Sequence, residues 1–275
     1  MLGLGNSVIR SGVTEDSVFT PASVSGLTLW LAVNTNITAD QNSGGSTLSP
    51  EHTSNGGTMA QADRVNFWGG SGGTSINAAQ TTAAKKPRWE TSTGNLGGIR
   101  SAAGNKYMDL SSNVTIDANT DFTILVRFQQ DVAGHQGALL GDTSAEFVRI
   151  QDADTIRVKT DGSSSTDNDL NFSSNLQAET TTVIIVRSDG ATGNINAYLR
   201  STVSGYFDGT ATGTASSNTI QDNEEYVISN IMATADSTGM FDGQVYDYII
   251  YDGTAVTSAQ REQLFDYIEG QSHPQ

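Results

Sequence analysis

DFTILVRF, residues Asp121 to Phe128, places Phe122, Ile124, Val126 and Phe128 at every second position, with Leu125 the one apolar residue among those between. A period of two puts the four on one face of a strand. Working outward, LTLWLAV (Leu27 to Val33), TIRVK (Thr155 to Lys159), TTVIIV (Thr181 to Val186), NINAYLR (Asn194 to Arg200), EYVISNI (Glu225 to Ile231) and GQVYDYIIYDG (Gly243 to Gly253) carry the same strand signals. Turn clusters separate them: DGSSSTDND (Asp161 to Asp169), SDGATGN (Ser188 to Asn194) and YFDGTATG (Tyr206 to Gly213). Many short strands without alternating helices predict an all-β chain, a jelly-roll-like antiparallel β-sandwich, and not a parallel α/β sheet. One short helix is predicted near the end. Thr257 and Gln260 form a Thr-x-x-Gln capping box, Leu264, Phe265 and Ile268 recur at helical spacing, and Gly270 stops the pattern.

The 275 residues are 16% charged and 36% hydrophobic, with 29 glycines, a polar and turn-rich β-type composition. Aromatic and β-branched blocks recur along the chain, which excludes intrinsic disorder. The length fits one sandwich domain of about 200 to 250 residues with an appendage. Residues 1–20 read as an extended anchoring arm: Leu2, Leu4, Val8 and Ile9 are apolar but without period, and are expected to bind a partner chain. Residues 21–275 read as the domain, with 34–82 expected to be long loops holding one or two short strands. MLGLGNSVIRSG at the start lacks the cationic flank and unbroken apolar core of a signal peptide, and no run approaches a membrane span. There is no cysteine, which removes disulfides, thiolate metal sites and cysteine nucleophiles.

The formal charge is −16. Arg10, Arg64, Lys85, Lys86, Arg88 and Arg100 balance Glu15, Asp16, Asp40, Glu51, Asp63 and Glu90, so the whole excess lies beyond residue 100. An acidic body repels phosphates, and Lys85, Lys86 and Arg88 alone do not make a nucleic-acid surface. The neutral first 100 residues, which hold Lys85, Lys86 and Arg88, are expected to face a partner, with the acidic remainder facing solvent.

LTLWLAV, then RVNFWGGSGGTSINAAQTTAAKKPRWE (Arg64 to Glu90), then KYMDLSSNVTIDANTDFTILVRF (Lys106 to Phe128) resemble the opening of laminin-G-like, concanavalin A-like lectin/glucanase domains. GMFDGQVYDYIIYDGTAVTSAQREQLFDYIEG (Gly239 to Gly270) resembles their closing strand and terminal helix. Where such families place a carboxylate just after the tryptophan strand, this chain has Ala32 and Val33. The MLGLG-type start running into a lectin-like domain resembles virion proteins of marine tailed bacteriophages. The resemblance implies a non-enzymatic virion structural protein, a capsid decoration or head-fibre protein anchored by its arm, with a tail-fibre module recognising host surface carbohydrate as the alternative. It further implies a virion location, other capsid or tail proteins as partners, a host glycan as a candidate ligand, and a homo-oligomer, with no nucleic acid and no membrane.

Retaining glucanases on this fold use two carboxylates on one strand face, about 5 to 5.5 Å apart. No Glu-x-Asp-x-x-Glu or Glu-x-Asp-x-Glu run occurs, and Glu224 and Glu225, being adjacent, point to opposite faces. No catalytic residue and no enzymatic activity are therefore expected. His52, His135 and His273 are isolated, no Gly-x-Ser-x-Gly is present, and GGSGG (Gly69 to Gly73) lacks the lysine of a phosphate loop. No cofactor is expected. A calcium ion would draw on Asp142, after the Gly141 turn, or on Asp161, Asp167, Asn168 and Asp169, but these residues suit ordinary turns equally and no metal is assigned. Trp30 and Trp89 read as core or rim, whereas Trp68, Tyr206 and Phe207 are the candidate ligand-binding aromatics.

Overall fold

In the computed structural model, strands Phe122–Gln130 and Gly243–Asp252 run antiparallel as a central pair, with Ile124 opposite Ile250 and Val126 opposite Tyr248. The structure describes residues 18–40, 52–53, 63–91, 97–101, 106–131, 136–160, 167–173, 176, 180–188, 193–201, 213–214, 218–219, 225–234 and 239–270. The arm residues Leu2, Leu4, Val8 and Ile9 therefore lie outside the described part, as do Tyr206 and Phe207.

Thr181–Ser188 adds to one side of the central pair, followed by its hairpin partner Asn194–Ser201, while Leu27–Ala32 adds to the other side. A second series of pairings runs Asn168–Asn171, Thr155–Thr160, Glu146–Ile150, Gly137–Thr143, Tyr226–Ile231, Met108–Ile116, Ala78–Ala79, Arg64–Trp68 and Ile37–Asp40, all antiparallel. Strands Arg88–Thr91 and Gly97–Ser101 join the two series at one edge. The all-β sandwich expected from the alternating segments is the fold observed.

The two series share one core, in which Phe122, Ile124, Val126 and Phe128 meet Val148, Val158, Ile228 and Leu170. Tyr248 ties the layers directly, its hydroxyl donating to the Leu139 carbonyl at 2.8 Å. Burying a side chain of this size is worth about 1.5 to 3 kcal/mol, so the facing rows hold the sandwich together.

The other face of the central strands is not solvated, contrary to the simple alternation of DFTILVRF. Leu125, Ile184, Ile249 and Trp30 form a second cluster, covered by Leu264, Phe265 and Ile268 of the helix Ser258–Gly270. Thr257 caps this helix as the sequence predicts: its N–H donates to Gln260 Oε1 at 2.9 Å and the Gln260 N–H donates back to Thr257 Oγ1 at 3.3 Å. At the far end Arg127 Nη1 donates to the Ile268 carbonyl at 2.7 Å, placing a cation against the negative end of the helix dipole. Arg200 bridges Glu262 at 2.7 Å and Asp266 at 2.8 Å from the adjoining strand.

Residues 34–82 hold more strand than their composition suggests: Ile37–Asp40, His52–Thr53, Arg64–Trp68 and Ala78–Ala79. Gly141 is likewise no turn, since it sits inside Gly137–Thr143 opposite Phe147 and Asn230.

Candidate functional site: an aromatic groove over a glycine loop

The site begins with an irregularity in RVNFW. Thr38 pairs with Phe67 and Ala39 with Val65, so Asn66 has no residue opposite it and forms a β-bulge. The bulge breaks the period of two. Val65 and Trp68, three apart, are both fully buried, while Asn66 and Phe67 lie between them on the outer side. Phe67 is 36% exposed, one of only two large apolar side chains exposed among the described residues.

This corrects the assignment of Trp68 as a ligand-binding aromatic. Its indole Nε1 donates to the Ala32 carbonyl at 3.0 Å and its ring packs edge-on to Tyr248 at 5.9 Å, so it is core. A regular strand would have put Trp68 outside and Phe67 inside; one looped-out residue exchanges them. Nothing within RVNFW marks the bulge, because two adjacent aromatics fit opposite faces of a regular strand equally well.

Around Phe67 a polar chain is fixed in place. Thr38 Oγ1 donates to Asn66 Oδ1 at 2.6 Å, Asn66 Nδ2 donates to Asp40 Oδ1 at 2.9 Å, and Lys86 Nζ pairs with Asp40 Oδ2. The amide orientation of Asn66 follows from these partners, since its oxygen faces a hydroxyl donor and its nitrogen a carboxylate. Lys86 is consequently buried and not part of a partner-facing basic surface with Lys85 and Arg88.

Three clefts adjoin here. One of about 600 Å³ is lined by Phe67, Asn66, Asp40, Lys86 and Gln80. A second, of about 250 Å³, lies on the other side of Phe67 and is bounded by Asn36, Gly70 and Asn77. The third, of about 560 Å³, shares Asn36 and Gly70 with the second and extends to Trp30 and Tyr267.

The floor common to the last two is the loop Gly69 to Gly73. Ser71 N–H donates to the Trp30 carbonyl at 2.7 Å, and its hydroxyl meets Thr35 Oγ1 at 2.6 Å. Gly72 adopts φ +59°, and a Cβ there would fall 2.3 Å from Trp30 Cε3, so the loop backbone rests directly on the indole. Tyr267, on the helix, stands edge-on to Trp30 with ring centroids 5.9 Å apart. Burial, with Asp247 adding to it, pushes the Tyr267 hydroxyl above its ordinary pKa and keeps it a neutral hydrogen-bonding group. The only charged side chains on the described lining of the three clefts are Asp40 and Lys86, and they neutralise each other.

Two of the aspartates considered for calcium are engaged in ion pairs. Asp167 bridges Lys159 at 2.7 Å, and Asp169 bridges Arg157 Nε at 2.6 Å, both facing the neighbouring strand Thr155–Thr160. These are cross-strand ion pairs and not turn contacts, and Asp161 lies outside the described residues. Among those residues no group of three or more potential ligands converges to hold a metal.

No protein-family model matches the sequence, and no curated protein matches it. Solved structures do share the fold. An arabinofuranosidase complexed with arabinofuranosyl-α-1,2-xylobiose superposes with a TM-score of 0.54 at 11% identity, covering 87% of this chain and 61% of that one. A GH54 α-L-arabinofuranosidase soaked with a cyclic sulfate inhibitor gives 0.50 at 10% identity, covering 87% and 62%. The chain thus spans about three-fifths of the length of these relatives. At such identity the likeness is one of fold. The proteins that share it are glycosidases, and this overturns two expectations: that of a virion structural protein and that of a chain without enzymatic character. Those expectations rested on a short amino-terminal stretch and on the absence of a linear carboxylate motif, and neither bears on which side chains the fold gathers.

Proposed function

We propose that this chain is a carbohydrate-active protein that binds a neutral oligosaccharide across Phe67. The observation that carries the reading is one exposed aromatic ring set between two polar clefts by a β-bulge. A sugar offers an apolar C–H face to such a ring and hydroxyls at its rim, where Thr38, Asn66 and Gln80 supply both donors and acceptors. Concave sites with a few fixed polar groups are the usual form of small-ligand sites. The resemblance to lectin/glucanase domains and the fold shared with arabinofuranosidases support the ligand class, and the arabinofuranosyl-xylobiose held by one of those relatives names the first probe to try.

Isothermal titration with arabinofuranosyl-xylobiose and with plain xylobiose tests it. Saturable binding by the native chain, weakened about tenfold or more in a folded Phe67→Ala variant, is the expected result. No binding of any neutral glycan would remove the reading.

A further inference from the structure

We infer that the ligand is an extended neutral chain of several sugar units, running from the Phe67 clefts across the glycine loop to a remote subsite at Tyr267. The inference rests on the carbohydrate-binding reading of Phe67 and adds to it the length and direction of the ligand.

Continuity of the surface is the first support. The cleft beside Phe67 and the cleft beside Tyr267 adjoin at Asn36 and Gly70, where the Asn36 amide donates to the Gly70 carbonyl at 3.3 Å. What would otherwise be a wall is the run Gly69 to Gly73, and the absence of side chains keeps it low. Built Cβ atoms at Gly69 and Gly72 would fall 2.7 Å from Asn36 Cβ and 2.3 Å from Trp30 Cε3, so this segment can lie flat only as glycine. Ser71, the one side chain in the run, is 9% exposed and turned to Thr35.

Aromatic placement is the second. The half-buried Tyr267 lies at one end of the surface and Phe67 at the other, which provides two separate stacking positions with hydroxyl and amide groups between them, while Trp30, 8% exposed with Gly72 against its indole, only borders the first. A single sugar uses one such position; a chain uses both.

Charge is the third. The chain carries −16 overall, yet the lining beyond the Asp40–Lys86 pair is uncharged. A charged polymer would find no counter-charge along the groove, whereas a neutral one loses nothing there.

The test uses linear neutral xylo-oligosaccharides, from disaccharide to hexasaccharide, against the full chain. Affinity of the native protein is expected to rise about tenfold with length. Tyr267→Ala should abolish that rise while leaving the disaccharide affinity unchanged within about twofold, whereas Phe67→Ala should weaken every length. A readout independent of any variant comes from tryptophan emission, because Trp68 and Trp89 are fully buried and only Trp30 borders the groove. The hexasaccharide should change that emission and the disaccharide should not. Equal affinity at all lengths with unchanged emission would overturn the extended subsite while leaving binding at Phe67 standing. Equal loss for both sugars in a folded Tyr267→Ala protein would overturn it too. Failure of every length to bind the native chain would instead strike the carbohydrate reading beneath it.

Discussion

Asp247 lies directly across from Arg127 on the neighbouring strand, both fully enclosed beneath the helix Ser258–Gly270. Arg127 spends one guanidinium nitrogen on the Ile268 carbonyl, so the pair serves the helix end as well as the sheet. Burial raises the Asp247 pKa to about 7, outweighing the opposing pull of Arg127 and the Val33 N–H.

Stability should therefore fall with rising pH. In the unfolded chain Asp247 ionises near its ordinary value of 3.8, so between there and about 7 the folded state holds a proton the unfolded state has lost. The contribution is fully present below that window and gone above it. Asp131, Asp252 and Glu269, also raised chiefly by burial, act in the same direction. Urea midpoints should drop from about pH 4.5 to about pH 8, and Asp247→Asn should flatten part of the drop. A midpoint that climbs across the window, or an identical slope in the variant, would contradict the assignment.

Adjacent aromatics should separate cleanly in their effects. Trp68→Ala removes a fully buried ring and is expected to cost about 3 to 5 kcal/mol of unfolding free energy. Phe67→Ala removes a partly exposed one and should cost about 1 kcal/mol or less. Chemical denaturation of the two variants side by side measures this, and similar losses would mean that the bulge does not divide the residues as described.

Gly72→Ala should destabilise the chain by about 1 to 3 kcal/mol, because the residue sits at φ +59° with the Trp30 indole where its Cβ would go. The same variant should alter tryptophan emission, since the loop must lift from the ring. Gly73→Ala has a positive φ but open space around it, and should leave the emission as it was.

Lys86→Met should be severely destabilising, by about 3 to 5 kcal/mol, since it strands Asp40 as an unpaired buried carboxylate. Adding Asp40→Asn to it should recover much of the loss. A double-mutant cycle by thermal or urea unfolding reads the coupling, and strict additivity would show that the two side chains do not depend on each other.

The central strands and the helix were legible because local pattern and tertiary environment agree there. VIIV (Val183 to Val186) and YIIY (Tyr248 to Tyr251) are continuous apolar runs, the mark of strands covered on both faces, and Thr257 with Gln260 is a self-contained capping signal. DFTILVRF was legible in its inward row and misleading in its outward one, where Thr123 meets Thr254 and Val256 just before the helix and Arg127 meets Ile268 within it, all more than a hundred residues away. The groove could not be read in advance. Its rings come from residues 30, 67 and 267, its polar groups from the strands Ile37–Asp40 and Arg64–Trp68 and from the loops that hold Asn36, Asn77, Gln80 and Lys86, and the bulge that turns Phe67 outward depends on pairing with Thr38 and Ala39 and not on any signal inside RVNFW. The −16 charge pointed away from nucleic acid but said nothing of a groove whose own lining is neutral.

Looping out Asn66 releases two consecutive outward positions from the alternation that governs the rest of the sheet. Val65 and Trp68 keep the strand in register from the inside and Asn66 is held by Thr38 and Asp40, so it is replacements at 67 that meet little selection from folding. Ring size on this surface is thereby free to drift, and descendants of the chain could change what they grip while inheriting the same scaffold. Loss of Asn66 itself would restore the regular alternation with Val65 and Trp68 inside and the ring still outward, removing the amide from the surface while keeping the aromatic.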